Sequence, residues 1–237
     1  MLKLDLPRHW ATSEELCKAV RERHDAVLLA FSRGKDSLAC WLRLREHGFR
    51  VVPYNKHRVP GLEFVEESLR YYEGVFKTPI DRVQHPSFVR QVKSYTFQRP
   101  AMCRTVWDAD LPTLTDADIE DDLRRRHGPL PIAIGVRYYD SLMRRTAIKK
   151  HGSLNPKNGS FYPVWDVSTK DVYAQIEAAG IKLPPDYAMF GRTFDGVNFQ
   201  FLGPLKERYP RDYERILEWF PLAEVEIARR QLCPSHR

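Results

Sequence analysis

Two segments of the chain carry side chains whose types and spacing suit phosphate binding, and the first is SRGKDS at residues 32–37. Ser32 and Ser37 offer hydroxyl groups, Gly34 lets the backbone approach an anion closely, and Lys35 adds a positive charge. The segment follows the apolar run AVLLAF and precedes a helical stretch, so the N–H groups of the first helical turn would face the same point. It is not a Walker A loop, because the pattern GxxxxGK(S/T) is absent. We therefore predict an anion-binding loop, with an ordinary strand-to-helix turn as the alternative.

The second segment, GVRYYDSLMRR at residues 135–145, begins inside the apolar run PIAIGV. The guanidinium groups of Arg137 and Arg144 can each hold a phosphate or sulfate through two parallel hydrogen bonds. A surface ion pair with Asp140 is the alternative for either arginine. In the first segment, the carboxylate of Asp36 can hold Mg²⁺ beside phosphate oxygens, or it can simply stabilise the start of a helix.

Short apolar runs alternate with amphipathic stretches along the chain, which indicates strands alternating with helices. We predict strands at 26–31, 51–54, 80–83, 131–136 and 161–164, and helices at 12–23, 38–47, 64–72, 115–127, 168–179 and 211–230. Residues 85–112 are irregular and aromatic, and they are left unassigned. The alternation predicts an α/β fold with a parallel five-stranded sheet and helices on both faces. Ligands of such sheets bind beyond the carboxyl ends of the strands, where both segments above would lie.

The composition of the 237-residue chain excludes several classes of protein. A hydrophobic share of 43% is enough for a buried core, so the chain is not disordered as a whole. The four cysteines lie far apart without a CxxC pair, which argues against a disulfide framework or a zinc ribbon. No apolar run reaches the roughly 18 residues of a membrane span, and residues 1–10 lack a signal-peptide centre, so we expect a cytoplasmic protein with no membrane partner. The net charge of +7 suits an anionic ligand, but a merely basic surface would give the same value.

Four ordered segments resemble a known family. AFSRGKDSLACWL resembles the PP-loop motif of the ATP pyrophosphatases, and three later segments resemble the phosphoadenylyl-sulfate (PAPS) reductase family. These are GLEFVEESLRYYE (61–73), GVRYYDSLMRR (135–145) and FYPVWDVSTKDVYAQIEAAGIKLPPDY (161–187). The family's arginine motif falls on Gly135, Arg137, Asp140, Ser141 and Arg144.

The resemblance implies the adenine nucleotide alpha hydrolase-like fold, with a PP-loop nucleotide-binding domain over residues 1–190. Residues 191–237 would form a helical C-terminal extension of the same globular unit and act as a lid or a partner surface. The resemblance also implies ATP or another adenine nucleotide as the ligand, with Mg²⁺ on Asp36. The implied nucleotide-binding residues are Ser32, Arg33, Gly34, Lys35, Asp36, Ser37, Gly135, Arg137 and Ser141, and the implied catalytic residues are Lys35, Asp36, Arg137 and Arg144.

Several departures from the family's pattern bear on the reaction. Iron–sulfur members of the family carry a Cys-Cys pair and a later C-x-x-C, whereas three of those four positions are here Met102, Val197 and Gln200, and only Cys103 remains. We therefore expect no iron–sulfur cluster. The chain ends in QLCPSHR, with Cys233 and His236 in place of the E-C-G-(I/L)-H motif of the cluster-free reductases.

The loop keeps both Lys35 and Asp36, as do the family members that split ATP between the α and β phosphates, while Arg33 replaces the usual second glycine. The leading hypothesis is accordingly an ATP pyrophosphatase or adenylyltransferase that transfers AMP to an oxygen of an unknown acceptor. One alternative is a PAPS reductase or sulfurtransferase with an atypical cysteine, either Cys103 or Cys233.

A second alternative is a nucleotide- or nucleic-acid-binding module without turnover. The net charge and the aromatic, basic stretch from Tyr95 to Trp107 allow nucleic acid as a partner, because bases stack on aromatic side chains beside cations. Core packing is the alternative for those aromatic residues. The sequence leaves open both the acceptor and the formation of a homo-oligomer.

Overall fold

The chain folds into alternating strands and helices, as its apolar pattern predicts. The structure is a computed structural model and describes residues 2–232. Its helices are α1 (Ser13–Arg21), α2 (Lys35–Glu46), α3 (Glu63–Phe76), α4 (Pro86–Lys93), α5 (Pro100–Asp108), α6 (Asp116–His127), α7 (Leu142–His151), α8 (Thr169–Ala178), α9 (Pro185–Phe190), α10 (Phe199–Arg208), α11 (Pro210–Trp219) and α12 (Val225–Leu232). Its strands are β1 (Ala26–Ala30), β2 (Arg50–His57), β3 (Asp81–Gln84), β4 (Ile132–Ile134), β5 (Leu154–Asn155) and β6 (Ser160–Phe161). Among these described elements, no helix is both long and apolar enough to cross a membrane.

The strands form one sheet in the order β3-β2-β1-β4-β6-β5. Strand β1 pairs in parallel with β2 and β4, and β4 pairs in parallel with β6. Strand β5 pairs antiparallel with β6, so the sheet has six strands and is mixed. The prediction of five parallel strands is therefore wrong in number and direction. The missed strand is a two-residue ladder, which is too short to carry an alternating or apolar signal.

The described residues form two compact units. The first comprises residues 2–56, 73–82 and 120–183, and the second comprises residues 57–72, 83–119 and 184–232. Both segments predicted to bind phosphate lie in the first unit. The expected domains, 1–190 and 191–237, stay a prediction.

The first unit is built around the buried strands β1 and β4. Val27, Leu28 and Leu29 have no exposed surface, as expected for a strand covered on both sides. Helix α2 packs against β1, β4 and α8, which fixes the start of α2 close to the ends of these strands. Side-chain N-caps begin two of the predicted helices: Thr12 Oγ1 accepts a hydrogen bond from the Glu15 N–H, and Ser168 Oγ accepts one from the Asp171 N–H.

The N-terminal segment runs beside β5, the strand at one edge of the sheet. The Arg8 carbonyl oxygen accepts hydrogen bonds from the Ser153 N–H at 2.9 Å and the Leu154 N–H at 3.2 Å, and the Leu4 N–H donates to the Pro156 carbonyl at 3.0 Å. Gly152 permits this approach, because a Cβ atom there would lie 2.1 Å from the Arg8 oxygen. Its φ of +86° also belongs to the region that favours glycine.

The second unit is mainly helical. The carboxylate of Asp212 is buried and accepts hydrogen bonds from the Glu63 N–H at 2.6 Å and the Phe64 N–H at 3.0 Å, so it caps the start of α3. Residues 85–112, which the sequence left unassigned, contain α4 and α5. The single helix predicted over 211–230 is two helices, α11 and α12, interrupted around Pro221.

Candidate functional site

The loop at residues 32–37 lies between β1 and α2, where the sequence predicts it. The Ser37 hydroxyl donates to the Gly34 carbonyl oxygen at 2.8 Å, and the Ser32 hydroxyl donates to Ser37 Oγ at 3.3 Å. These bonds close the loop on itself. Gly34 is the N-cap residue of α2, and no side chain caps this helix. The positive end of the helix dipole is therefore not covered by a side-chain cap and can face an anion.

Arg33 occupies a backbone conformation that normally suits glycine. Its φ is +66°, and its side chain is buried with 3% of the residue exposed. A non-glycine residue in this region costs about 1 kcal/mol or more, so the surrounding packing must hold the loop in place. The family resemblance implies that Arg33 binds the nucleotide, which stays a prediction, and the structure places its side chain inside the protein.

Gly135 brings the segment after β4 against the loop. A Cβ atom at this position would lie 2.9 Å from the Asp36 carbonyl carbon and 3.1 Å from the Ser37 backbone nitrogen. Real Cβ atoms do not approach backbone atoms so closely, so a larger residue would push the loop away from β4. Gly135 thus serves the loop through close backbone packing.

Five charged side chains alternate in sign along a continuous chain of ion pairs, Lys35–Asp36–Arg137–Asp140–Arg144. Lys35 Nζ lies 2.8 Å from Asp36 Oδ2, and Arg137 Nε lies 2.7 Å from Asp36 Oδ1. Arg137 Nη2 lies 2.8 Å from Asp140 Oδ1, and Arg144 Nη1 pairs with the other oxygen of Asp140. The chain joins the carboxyl end of β1 to that of β4. Its three cations and two carboxylates leave one net positive charge.

Arg137 is the centre of this chain, and each of its three side-chain nitrogens lies within 3.2 Å of a protein oxygen, although the contact of Nε with Asp36 lacks hydrogen-bond geometry. Its third nitrogen, Nη1, lies 3.2 Å from both the Val167 carbonyl oxygen and Thr169 Oγ1, and only 2% of the side chain is exposed. The sequence predicted that Arg137 holds phosphate directly. In the structure its guanidinium pairs with Asp36 and with Asp140, the pairing given as the alternative, and phosphate binding by Arg137 stays a prediction.

The remaining cations of the chain are more accessible. The Arg144 side chain is 49% exposed and the Lys35 side chain is 18% exposed. Ser141, predicted as a nucleotide-binding residue, is the N-cap of α7, where its hydroxyl accepts from the Arg144 N–H at 3.2 Å. An incoming anion would therefore meet Lys35 and Arg144 first.

The residues around the loop do not form a ready magnesium site. Both oxygens of Asp36 are already within 3 Å of cationic nitrogens, those of Lys35 and Arg137. Across residues 2–232, no cluster of three or more His, Cys, Asp or Glu side chains could hold a metal ion. Mg²⁺ is commonly held by one or two carboxylates together with substrate phosphates and water, so a magnesium ion on Asp36 stays a prediction.

The thiols differ in accessibility. Cys17 and Cys40 are buried in the first unit, and burial raises the pKa of Cys17 to about 12 and raises that of Cys40 as well. Cys103 lies on α5 in the second unit, is partly exposed, and donates to the Arg99 carbonyl oxygen. Cys233 and His236 lie outside the described residues.

Comparison with solved structures identifies the fold. PAPS reductase from Candida auris, solved as a phosphate complex, matches 78% of this chain and 87% of its own with a TM-score of 0.50 and 10% identity. U34-tRNA thiolase from Methanococcus maripaludis, solved with its 4Fe–4S cluster, matches 90% of this chain and 78% of its own (TM-score 0.47, 13% identity). NH3-dependent NAD synthetase from Campylobacter jejuni, solved with nitrate, matches 95% of this chain and 96% of its own (TM-score 0.45, 11% identity). No family model and no curated protein matches the sequence.

The match to PAPS reductase confirms the expected α/β fold. The comparisons also correct one prediction. The expectation of no iron–sulfur cluster is withdrawn: U34-tRNA thiolase, one of the matched structures, is itself solved with its 4Fe–4S cluster. The deduction rested on Met102, Val197 and Gln200, but the cysteine positions of one family do not fix those of every protein with the same fold. The replacement of those cysteines therefore excludes nothing.

Proposed function

We propose that the protein binds ATP, or another adenine nucleotide, at the loop of residues 32–37 and cleaves it between the α and β phosphates to adenylylate an acceptor. The observation that carries the proposal is the ion-pair chain. It holds Lys35 and Asp36 at the start of α2, beside the closed loop and the positive end of the helix. A triphosphate placed there would meet a cation, backbone N–H groups and a helix dipole together.

In this proposal the acceptor oxygen attacks the α-phosphorus. The new O–P bond forms as the bond between the α-phosphorus and the bridging oxygen breaks, and pyrophosphate leaves with that oxygen and the bonding electrons. The protein contributes positioning and charge, as expected for phosphoryl chemistry with little covalent participation. Lys35 and Arg144 would contact the leaving pyrophosphate and act as the catalytic residues. Asp36 and Asp140 would hold these cations at rest, and Arg137 would position both carboxylates.

The remaining residues shape the site. Ser32 and Ser37 would keep the loop closed, and Gly34 would leave room for the phosphates at the helix start. Gly135 would let the β4 segment support the loop, and Ser141 would hold the first turn of α7.

Nucleotide binding tests the site. In calorimetry, Lys35→Ala should weaken ATP binding by about 1 to 3 kcal/mol, the usual loss of a charge-assisted contact. Lys170→Ala removes an exposed lysine of the same unit and should leave the affinity unchanged. Equal affinities for wild type and Lys35→Ala would remove the loop from the site.

Product identity tests the reaction. With candidate acceptors and ATP labelled at the α-phosphate, the label should move to the acceptor and pyrophosphate should appear. Release of inorganic phosphate and ADP would contradict cleavage between the α and β phosphates. Substitution of Arg144 by Lys should lower turnover although the charge is kept, because lysine lacks the planar fork of arginine.

A PAPS reductase reaction remains the alternative function, and it needs an accessible thiol. Among residues 2–232, Cys103 meets this condition better than the buried Cys17 and Cys40. Loss of turnover in Cys103→Ser, with ATP binding intact, would favour the reductase over the adenylyltransferase.

A further inference from the structure

A cavity lies in the first unit, at the same edge of the sheet as the loop of residues 32–37. The cavity has a volume of about 540 Å³ and is lined by residues that follow β4 and β6, including Tyr138 and Trp165. Strands β1, β4 and β6 are parallel, so their carboxyl ends meet at this edge. A hydrogen bond of 2.7 Å from the Tyr138 N–H to the Trp165 carbonyl joins the two segments. The volume is in the range of pockets that hold small organic ligands.

The walls of the cavity are largely aromatic. Trp10, Tyr138, Tyr139 and Trp165 all line it. Tyr139 is 53% exposed, so its ring is accessible to a ligand. Flat aromatic surfaces of this kind suit a planar ring, which can stack on them.

Three buried polar atoms of the lining residues have no hydrogen-bond partner among the described residues: Ser153 Oγ, Trp165 Nε1 and Asp166 Oδ1. Only 2% of the surface of Ser153 is accessible. The other oxygen of Asp166 accepts from the Ser13 N–H at 2.9 Å, which fixes the carboxylate. Buried polar groups are normally paired, so unpaired groups that line one cavity point to a ligand that pairs them. Such a ligand needs acceptors for the serine and tryptophan and a donor for the aspartate.

The rim of the cavity is cationic. Lys149 lines it, with its Nζ atom 5.8 Å from the centre of the Tyr138 ring, and the guanidinium of Arg145 lies 4.9 Å from the same centre. Both residues belong to α7, which also carries Arg144 and Lys150 and has no carboxylate between Leu142 and His151. Ile148 is the buried residue of this helix. An exposed helix with this charge suits a phosphate-bearing ligand.

We propose that this cavity binds an unpaired nucleobase whose phosphate lies along α7. A nucleobase is planar and carries both donors and acceptors on its edge, and its phosphate complements the cations of the rim. The base belongs either to a free nucleotide or to a single-stranded nucleic acid. The inference that the bound base belongs to the acceptor rests on the proposed function. The inference that the cavity binds a nucleobase does not depend on it.

Binding of a short fluorescein-labelled single strand, followed by anisotropy in the absence of ATP, tests the aromatic wall. Tyr139→Ala should weaken binding at least about fivefold, from the usual value of stacking one base. Tyr139→Phe keeps the ring and should bind as wild type does. Tyr173→Ala removes a comparably exposed tyrosine on α8 that does not line the cavity, and it should change nothing.

The cationic rim and the unpaired hydroxyl have their own variants. Lys149→Ala should reduce the slope of log affinity against log salt by about 1. Lys150 is the next residue but does not line the cavity, so Lys150→Ala should have a smaller effect on the slope. Ser153→Ala should lower the affinity several-fold without lowering the melting temperature, because it removes a buried hydroxyl that has no partner in the protein. A serine that only supports the structure would show a lower melting temperature and an unchanged affinity after this substitution.

The outcomes separate the sources and the failures. If cytidine monophosphate competes with an affinity equal to that of the strand, the ligand is a free nucleotide. If the strand binds much more tightly than cytidine monophosphate, the ligand is a single-stranded nucleic acid. Equal binding by wild type, Tyr139→Ala and Lys149→Ala overturns the proposal, as does equal binding of the strand and its duplex, or no binding of either ligand at low salt. Lys35→Ala should lose ATP affinity but keep strand affinity, so a failure of the proposed function leaves the cavity result readable.

Discussion

Replacing Arg137 by methionine would remove the centre of the ion-pair chain and keep a side chain of similar reach. Two carboxylates, Asp36 and Asp140, would lose their shared partner, and they are only 23% and 12% exposed. Removing one partner of a buried pair typically costs about 3 to 5 kcal/mol, because the remaining charge stays desolvated. Since both carboxylates keep another cation and some contact with water, we expect a loss in the free energy of unfolding near the lower end, about 3 kcal/mol.

Urea unfolding followed by circular dichroism measures this loss. With a slope of about 2 kcal/mol per molar urea, the midpoint of Arg137→Met should fall by roughly 1.5 M. Arg144→Met is the matched control, because Arg144 is 49% exposed and pairs with Asp140 alone in the chain. An exposed pair contributes about 0 to 1 kcal/mol, so the control midpoint should move by less than about 0.5 M.

A double-mutant cycle with Asp36→Asn isolates the contact itself. Because Arg137 and Asp36 touch, the double variant should lose less stability than the sum of the two single variants, by about 1 to 3 kcal/mol. Additive losses, or an Arg137→Met midpoint equal to that of Arg144→Met, would refute the view that Arg137 is a buried positioning residue.

Two further predictions concern buried groups. Burial raises the pKa of Cys17 to about 12 and also raises that of Cys40, so both thiols stay protonated as the pH rises through 8. Neither thiol should react with a disulfide reagent until the protein unfolds. The partly exposed Cys103 should react in the native state, and a thiol titration of Cys103→Ser should show the loss of this reactive group. Gly152→Ala should lower stability by more than about 2 kcal/mol, because its Cβ would meet the Arg8 oxygen, whereas Gly180→Ala, at φ +63° with open space around it, should cost about 1 kcal/mol. Equal melting temperatures for the two alanine variants would contradict the packing described at Gly152.

The strands and caps that the sequence predicts correctly have purely local signals. The run AVLLAF is apolar at every position, and it forms β1, whose first four residues are buried. Thr12 and Ser168 stand three residues before an acidic side chain, and each caps a helix. Local chemistry suffices here, because the partner lies within one turn of the chain.

The elements that the sequence does not predict have weak or misleading local signals. Strand β5 is two residues long, so no periodicity can reveal it, and β6 shares only Phe161 with the strand predicted at 161–164. Helices α4 and α5 each begin with a proline, Pro86 and Pro100. Proline at the first helical position is a known start signal, and it would have identified both helices.

The contacts of the candidate site join residues that lie far apart in the sequence, so local patterns do not predict them. The sequence identifies Lys35, Asp36, Arg137 and Arg144 as functional residues, but the pairing of Asp36 with Arg137 joins positions 101 residues apart and depends on β1 lying beside β4. The pairing of Arg137 with Asp36 is therefore visible only once the fold is known. The cavity lined by Ser153 and Asp166 has no sequence pattern at all, because its residues come from four separate segments.

The N-terminal segment has a consequence for handling the protein. An edge strand offers unpaired N–H and C=O groups to any other strand in solution, and such edges promote association between molecules. Here the Arg8 carbonyl occupies the N–H groups of Ser153 and Leu154, and Leu4 occupies the Pro156 carbonyl, so residues 4–8 shield the open side of β5. Material shortened to begin at residue 12 would present that side to its neighbours. It should accordingly be prone to self-association and precipitation, even though no residue of the loop at 32–37 has been touched.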